Sequence, residues 1–131
     1  MNMKDERQFV GYSKYRSRLV DGHVHTELCP HGSGDRTAMM IEKAIELRIE
    51  KVCLTEHAPL PKAFAVEYGG DQKAYDTASL KLNQVDTYLE LGRQLQRAYG
   101  THIDISLGFE VDYIPGFEAD IQEFLDRYGP L

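Results

Sequence analysis

IDISLGFEVDY, residues 103–113, alternates without a break: Ile103, Ile105, Leu107, Phe109 and Val111 fall on one face, and Asp104, Ser106, Gly108, Glu110 and Asp112 on the other. A two-residue period of this kind predicts a strand with one apolar and one polar face. A helix over about 117–128 follows, where Phe117, Ile121, Phe124, Leu125 and Tyr128 keep helical spacing. The same strand-then-helix order occurs twice upstream. A short strand ending at His25 leads to a helix over about 37–48, with Met40, Ile41, Ala44, Ile45 and Leu47 on one side. A strand from Lys51 to Thr55 leads to a helix over about 80–99, with Leu82, Val85, Leu89 and Leu95 aligned and Gly100 as a left-handed cap. Successive βα units predict an α/β fold with parallel strands, because a crossover helix must pack back on the strands it joins. An open sheet and part of a barrel both satisfy the pattern.

Outward from these units the chain is less regular. Residues 1–17 are polar and charged with no apolar period, and read as an N-terminal extension ahead of a domain at 18–131. Residues 58–79, APLPKAFAVEYGGDQKAYDTAS, form the one long connection; its length between a strand and a helix suggests a substrate-facing loop. The last helix runs out at YGPL, so the predicted sheet is left open. Either the chain is the front of a longer protein or self-association completes the sheet.

The 131 residues, 42% of them apolar, suffice for one domain with its own core. A formal charge of -6 and a sequence pI near 5.3 argue against nucleic acid and anionic membranes as partners, which call for clustered Lys and Arg. No apolar run in the sequence reads as a signal peptide or approaches a bilayer span, so the expected location is cytoplasmic. In that setting Cys29 and Cys53 are expected to be reduced thiols.

The chain has 5 histidines, and His23, His25 and His31 lie within DGHVHTELCPHG, residues 21–32. Side chains two apart on a strand leave the same face, so His23 and His25 can grip one metal ion. His31 follows in the CPHGSGD loop, which can fold back over that strand end. In KVCLTEH, alternation puts Cys53, Thr55 and His57 on one face and Val52, Leu54 and Glu56 on the other. His57 therefore ranks above Glu56 as a candidate ligand, since Glu56 is turned away if His57 faces the site. Glu110 sits near the carboxyl end of its strand, with Gly108 leaving room beside it, and a carboxylate there can bridge two ions. In a parallel α/β fold these strand ends converge on one rim. The plainer alternatives are two surface histidines, an exposed loop histidine and an edge strand whose Glu110 and Asp112 are merely solvated. His102 lies at the opposite strand end and is expected to be exposed, and Cys29 reads as a buried thiol.

DGHVHTELCPHGSGD, then CLTEHAPLP, then GFEVDYI, in this order and spacing, resemble the polymerase and histidinol phosphatase (PHP) superfamily, and within it the histidinol-phosphatases of histidine biosynthesis. The resemblance runs from about Leu19 to Leu131. It implies the N-terminal part of a distorted (β/α)7, TIM-like barrel with up to three divalent metals, Zn, Fe or Mn, at the carboxyl ends of its strands. Carried over by motif, His23, His25 and Glu110 resemble ligands of a first metal, Glu110 bridges to a second, and His31 and His57 resemble ligands of a third. The reaction implied is hydrolysis of a small phosphate monoester, L-histidinol phosphate, to L-histidinol and phosphate through a metal-bound hydroxide. The family's later histidines, its Asp-x-His motif and its phosphate-holding arginines have no counterpart in these residues. Another PHP phosphoesterase and an inactive metal-binding fragment therefore stay open as alternatives.

Overall fold

The structure, a computed structural model, describes residues 18–64 and 72–129, apart from the side chains of residues 74 and 75. The expected N-terminal extension at 1–17 and part of the long connection lie outside the described residues. The elements in chain order are β1 (Val20–Val24), α1 (Thr37–Glu46), β2 (Lys51–His57), α2 (Gln72–Ala78), α3 (Val85–Tyr99), β3 (Asp104–Glu110) and α4 (Glu118–Tyr128). One 3-10 turn, Leu82–Gln84, leads into α3. The strands form a parallel sheet in the order β1-β2-β3, so the α/β class and the strand-helix order expected from periodicity are both observed. The connection at 58–79 is not all loop, since it carries α2.

One apolar cluster joins the helices to one face of the sheet. Val24, Val52, Leu54 and Ile105 from the strands meet Ile41 and Ala44 of α1, and Val85, Tyr88, Leu89 and Leu95 of α3. The apolar face of residues 103–109 is thus the helix-covered one, as its alternation predicts. α3 lies close against β3 at Gly92, where a Cβ would overlap Leu107 Cδ2. The phenol of Tyr88 is wholly buried and reaches the Leu54 and Gly108 carbonyls at 2.9 and 2.7 Å, tying α3 to β2 and β3 at once.

Several periodic positions are not core. Met40 and Leu47 of the first helical stretch are exposed, Leu47 to 59%, and Leu82 and Leu125 are exposed as well. Leu47 lies beyond the last turn of α1, which ends at Glu46 rather than near 48 because Arg48 turns left-handed, at φ 59. There Arg48 N–H donates to the Ile45 carbonyl and Ile49 N–H to the Ala44 carbonyl, both at 3.0 Å, closing the helix in a Schellman arrangement. Gly100 is not the left-handed cap expected of it. Its φ is -62, and glycine is needed for closeness instead, since a Cβ there would overlap the Gln96 carbonyl oxygen.

β1 and β2 pair Asp21 with Val52 and Val24 with Leu54, so β1 carries one extra residue between these positions. This bulge lies at Gly22 and His23, at the end of the strand that bears the histidine pair. Beyond β1 the chain is tied to α1 by a reciprocal cap. Thr37 N–H donates to Glu27 Oε2 at 2.6 Å, and Glu27 N–H donates to Thr37 Oγ1 at 3.1 Å. The cap fixes where the CPHGSGD loop departs and returns.

Candidate metal centre

β2 and β3 stay in register to their last residues, with His57 the partner of Glu110. Ala58 N–H donates to the Glu110 carbonyl at 2.9 Å, so both strands end at the same level. β1 ends one residue before His25. The expected convergence of His23, His25, His57 and Glu110 on one rim is therefore what the structure places there. His102 is exposed at the other end of the sheet, near the ion pairs of Arg18 with Glu50 and Asp104.

Three donor atoms close a small triangle. His23 Nε2 and His25 Nε2 are 3.0 Å apart, and Glu110 Oε2 lies 2.9 Å from the first and 3.1 Å from the second. Glu110 Oε2 also lies 3.5 Å from His57 Nδ1. Hydrogen bonding with His23 holds the Glu110 carboxyl below the usual carboxylate range, with the neighbouring histidine charges acting in the same direction. Burial holds the His57 imidazole below its ordinary value, and the nearby His25 adds to that.

Glu56 settles the tautomer of His25. Burial works to raise its carboxyl, but hydrogen bonds from Thr26, His25 and the His57 N–H outweigh it, and the group is held below its ordinary value. Oε1 and Oε2 of Glu56 already accept the His57 and Thr26 N–H groups, so His25 Nδ1, 2.9 Å from Oε1, is assigned as a further donor to this carboxylate. In the neutral ring His25 Nε2 is then a lone pair, directed at His23 Nε2 and Glu110 Oε2. Bare nitrogen and carboxylate oxygen at such distances repel unless a proton or a cation lies between them. Donor atoms about 3 Å apart are also what ions bound at about 2.0–2.1 Å hold at near right angles in a shared coordination shell. The donor set present fits a divalent cation.

A second group adjoins the first: ligand atoms of His25, Cys29 and His57 lie within 4.8 Å of one another. Cys29 is a buried thiol, as expected, and burial raises its pKa, but its sulfur also faces the histidines. His31, in the loop, sets its ring 4.8 Å from that of His57, which in turn stacks on His25 at 4.2 Å. Alternation does hold along β2, with Val52, Leu54 and Glu56 buried and His57 facing the rim. What it missed is that Glu56, on the buried face, still reaches His25. A recess just beyond the ends of β2 and β3 is lined by Pro59, Lys62, Asp112, Asp120, Glu123 and Arg127, among others, and by none of the candidate ligands.

A model of the PHP domain family matches residues 21–129. The chain is 38% identical over 110 residues to the histidinol-phosphatase of Bacillus subtilis (strain 168), covering 84% of this chain and 39% of that protein. It is 26% identical over 110 residues to the "Probable histidinol-phosphatase" of Deinococcus radiodurans, covering 84% of this chain and 38% of that one. The crystal structure of hisK, a candidate histidinol phosphatase from Listeria monocytogenes, matches with a TM-score of 0.80 at 40% identity, over 85% of this chain and 41% of the other. The chain thus spans about two fifths of the length of the curated relatives it matches.

Proposed function

The chain belongs to the PHP domain family, and from that premise we propose that it serves a metal-dependent phosphomonoesterase that converts L-histidinol phosphate to L-histidinol and phosphate. The observation that carries this is the 2.9–3.1 Å triangle of His23 Nε2, His25 Nε2 and Glu110 Oε2. Similarity to proteins named histidinol-phosphatase supports the substrate. His23, His25 and Glu110 would hold one divalent ion, Glu110 would share a second, and His31 and His57 would hold a third. Zn, Fe and Mn all suit imidazole and carboxylate donors. When bound, such ions supply positive charge toward phosphoryl oxygens and bring coordinated water toward neutral pKa.

The chain's own side chains do the positioning. The register of His57 with Glu110 fixes their spacing, and the Glu27–Thr37 cap holds the base of the loop that brings His31 over the rim. We place residues 18–131 at the front of a PHP barrel, and the remaining ligands and phosphate-holding groups in the part of the protein that corresponds to the uncovered three fifths or so of the relatives. Cys29 and Cys53, which form no disulfide with each other, are compatible with a cytoplasmic enzyme.

The test is phosphate release from L-histidinol phosphate and from a panel of other monoesters, after chelation and after reloading with Zn²⁺, Mn²⁺ or Fe²⁺. The full-length form should be active only when loaded and should prefer histidinol phosphate. Equal hydrolysis in the chelated protein would overturn the proposal, and preference for a nucleotide would move it to another phosphoesterase of the family. One feature favours a second reading for residues 1–131 by themselves: the site is open, with the His23 side chain 60% and Glu110 35% exposed. On that reading this chain binds metal without turnover, whether single or self-associated, and measurable turnover by it alone refutes that.

A further inference from the structure

Val52, Leu54 and Glu56 leave the same face of β2 for the core, and Glu56 is 0% exposed. A carboxylate in such a place is unfavourable beside an apolar side chain of similar size, unless its hydrogen bonds serve something else. Its donors are not scattered. Oε1 is 2.9 Å from His25 Nδ1 and 3.2 Å from the His57 N–H; Oε2 is 2.9 Å from the Thr26 N–H and 2.6 Å from its hydroxyl. Two of these residues are candidate ligands, and Thr26 directly follows one.

We propose that Glu56 is the positioning residue of the site. By accepting the Nδ1 proton of His25 it fixes the tautomer that leaves Nε2 bare, and it makes that nitrogen a stronger donor to metal. By holding both N–H and O–H of Thr26 it also pins the chain just after β1, so the ring cannot swing off the triangle with His23 and Glu110. Glu56 is not itself a ligand, because both oxygens are taken and it belongs to neither group of converging donor atoms. The inference rests on the metal-site reading above.

The experiment is ¹⁵N-histidine NMR on the metal-free protein, paired with Zn²⁺ and Mn²⁺ titration of wild type and Glu56→Gln. Wild-type His25 should be protonated at Nδ1 and bare at Nε2 in its neutral form. In E56Q that preference should weaken, and affinity for both ions should fall about 10–100-fold. A purely structural Glu56 would lower the melting temperature and leave the tautomer and the affinity unchanged, which would overturn the proposal. If E56Q does not fold, the wild-type spectrum decides, since an Nε2-protonated His25 contradicts the assignment directly. A wild-type protein that takes up neither ion removes the metal reading and this inference with it; equal binding by wild type and E56Q removes the inference alone.

Discussion

Glu110 and His57 are register partners at the carboxyl ends of β3 and β2, and Glu110 Oε2 lies 3.5 Å from His57 Nδ1 while also facing both ring nitrogens of the His23–His25 pair. One carboxylate oxygen is thus common to three imidazoles. Glu110→Ala should therefore weaken metal uptake more than any single histidine substitution, by on the order of 100-fold or more. Equilibrium dialysis with elemental analysis measures this. In wild type, saturating metal at about 100 times its dissociation constant should add about 2.7 kcal/mol to unfolding stability, and a chelator should remove it. At that metal concentration the E110A melting temperature should move by only a small fraction of the wild-type shift.

The His31 ring meets that of His57 at a separation of 4.8 Å and lies outside the triangle. His31→Ala should reduce the number of ions bound at saturation and leave the affinity of the tightest ion within about threefold, whereas His25→Ala should lose that ion first. A Co²⁺ titration followed by absorbance separates the two outcomes. Loss of the tightest ion in H31A would place His31 in the wrong group.

Tyr88 is buried beneath Glu56, and burial pushes its phenol up to about 12, from 10.0. The folded state therefore keeps the proton at pH values where the unfolded chain releases it. The stability this contributes is complete below pH 10 and falls as pH rises toward 12. Tyr88→Phe removes the hydroxyl from the Leu54 and Gly108 carbonyls and should cost about 1–3 kcal/mol near neutral pH. Denaturant titrations at a series of alkaline pH values should show the gap between wild type and Y88F narrowing above pH 10.

Arg48 closes α1 in the left-handed region, at φ 59, where a Cβ is disfavoured. Arg48→Gly should raise stability by about 1 kcal/mol, with both capping bonds intact. Thermal unfolding at constant pH is the check, and a destabilised variant would mean that the arginine side chain contributes more than its backbone strain costs.

How much of this was legible beforehand differs from element to element. Alternation identified both faces of β3 as far as Phe109, because each face of a covered strand meets a different medium, but Val111, assigned to the same apolar face, lies past the strand's end and is exposed. Helical spacing was less informative. It assigned Met40, Leu82 and Leu125 to buried faces, yet in the described structure all three are exposed, since periodicity marks which side of a helix is apolar and not how far a neighbour reaches along it. The same spacing passed over Tyr88, a fully buried residue whose partners are carbonyls on two strands.

The sequence by itself determined the parallel α/β order and the gathering of His23, His25, His57 and Glu110, because a two-residue period and a common strand polarity leave those side chains no other end or face. For His31 it allowed a loop that folds back over the strand end, and left an exposed loop histidine as the alternative. Only the tertiary structure decided how the donors meet. The extra residue between Asp21 and Val24 sets the aim of His23, and the meeting of Glu56 with His25 and Thr26 depends on how β1 and β2 are staggered. Alternation within a strand reports which side of a sheet a residue leaves from; a hydrogen bond between strands depends on their relative register, which no single strand encodes.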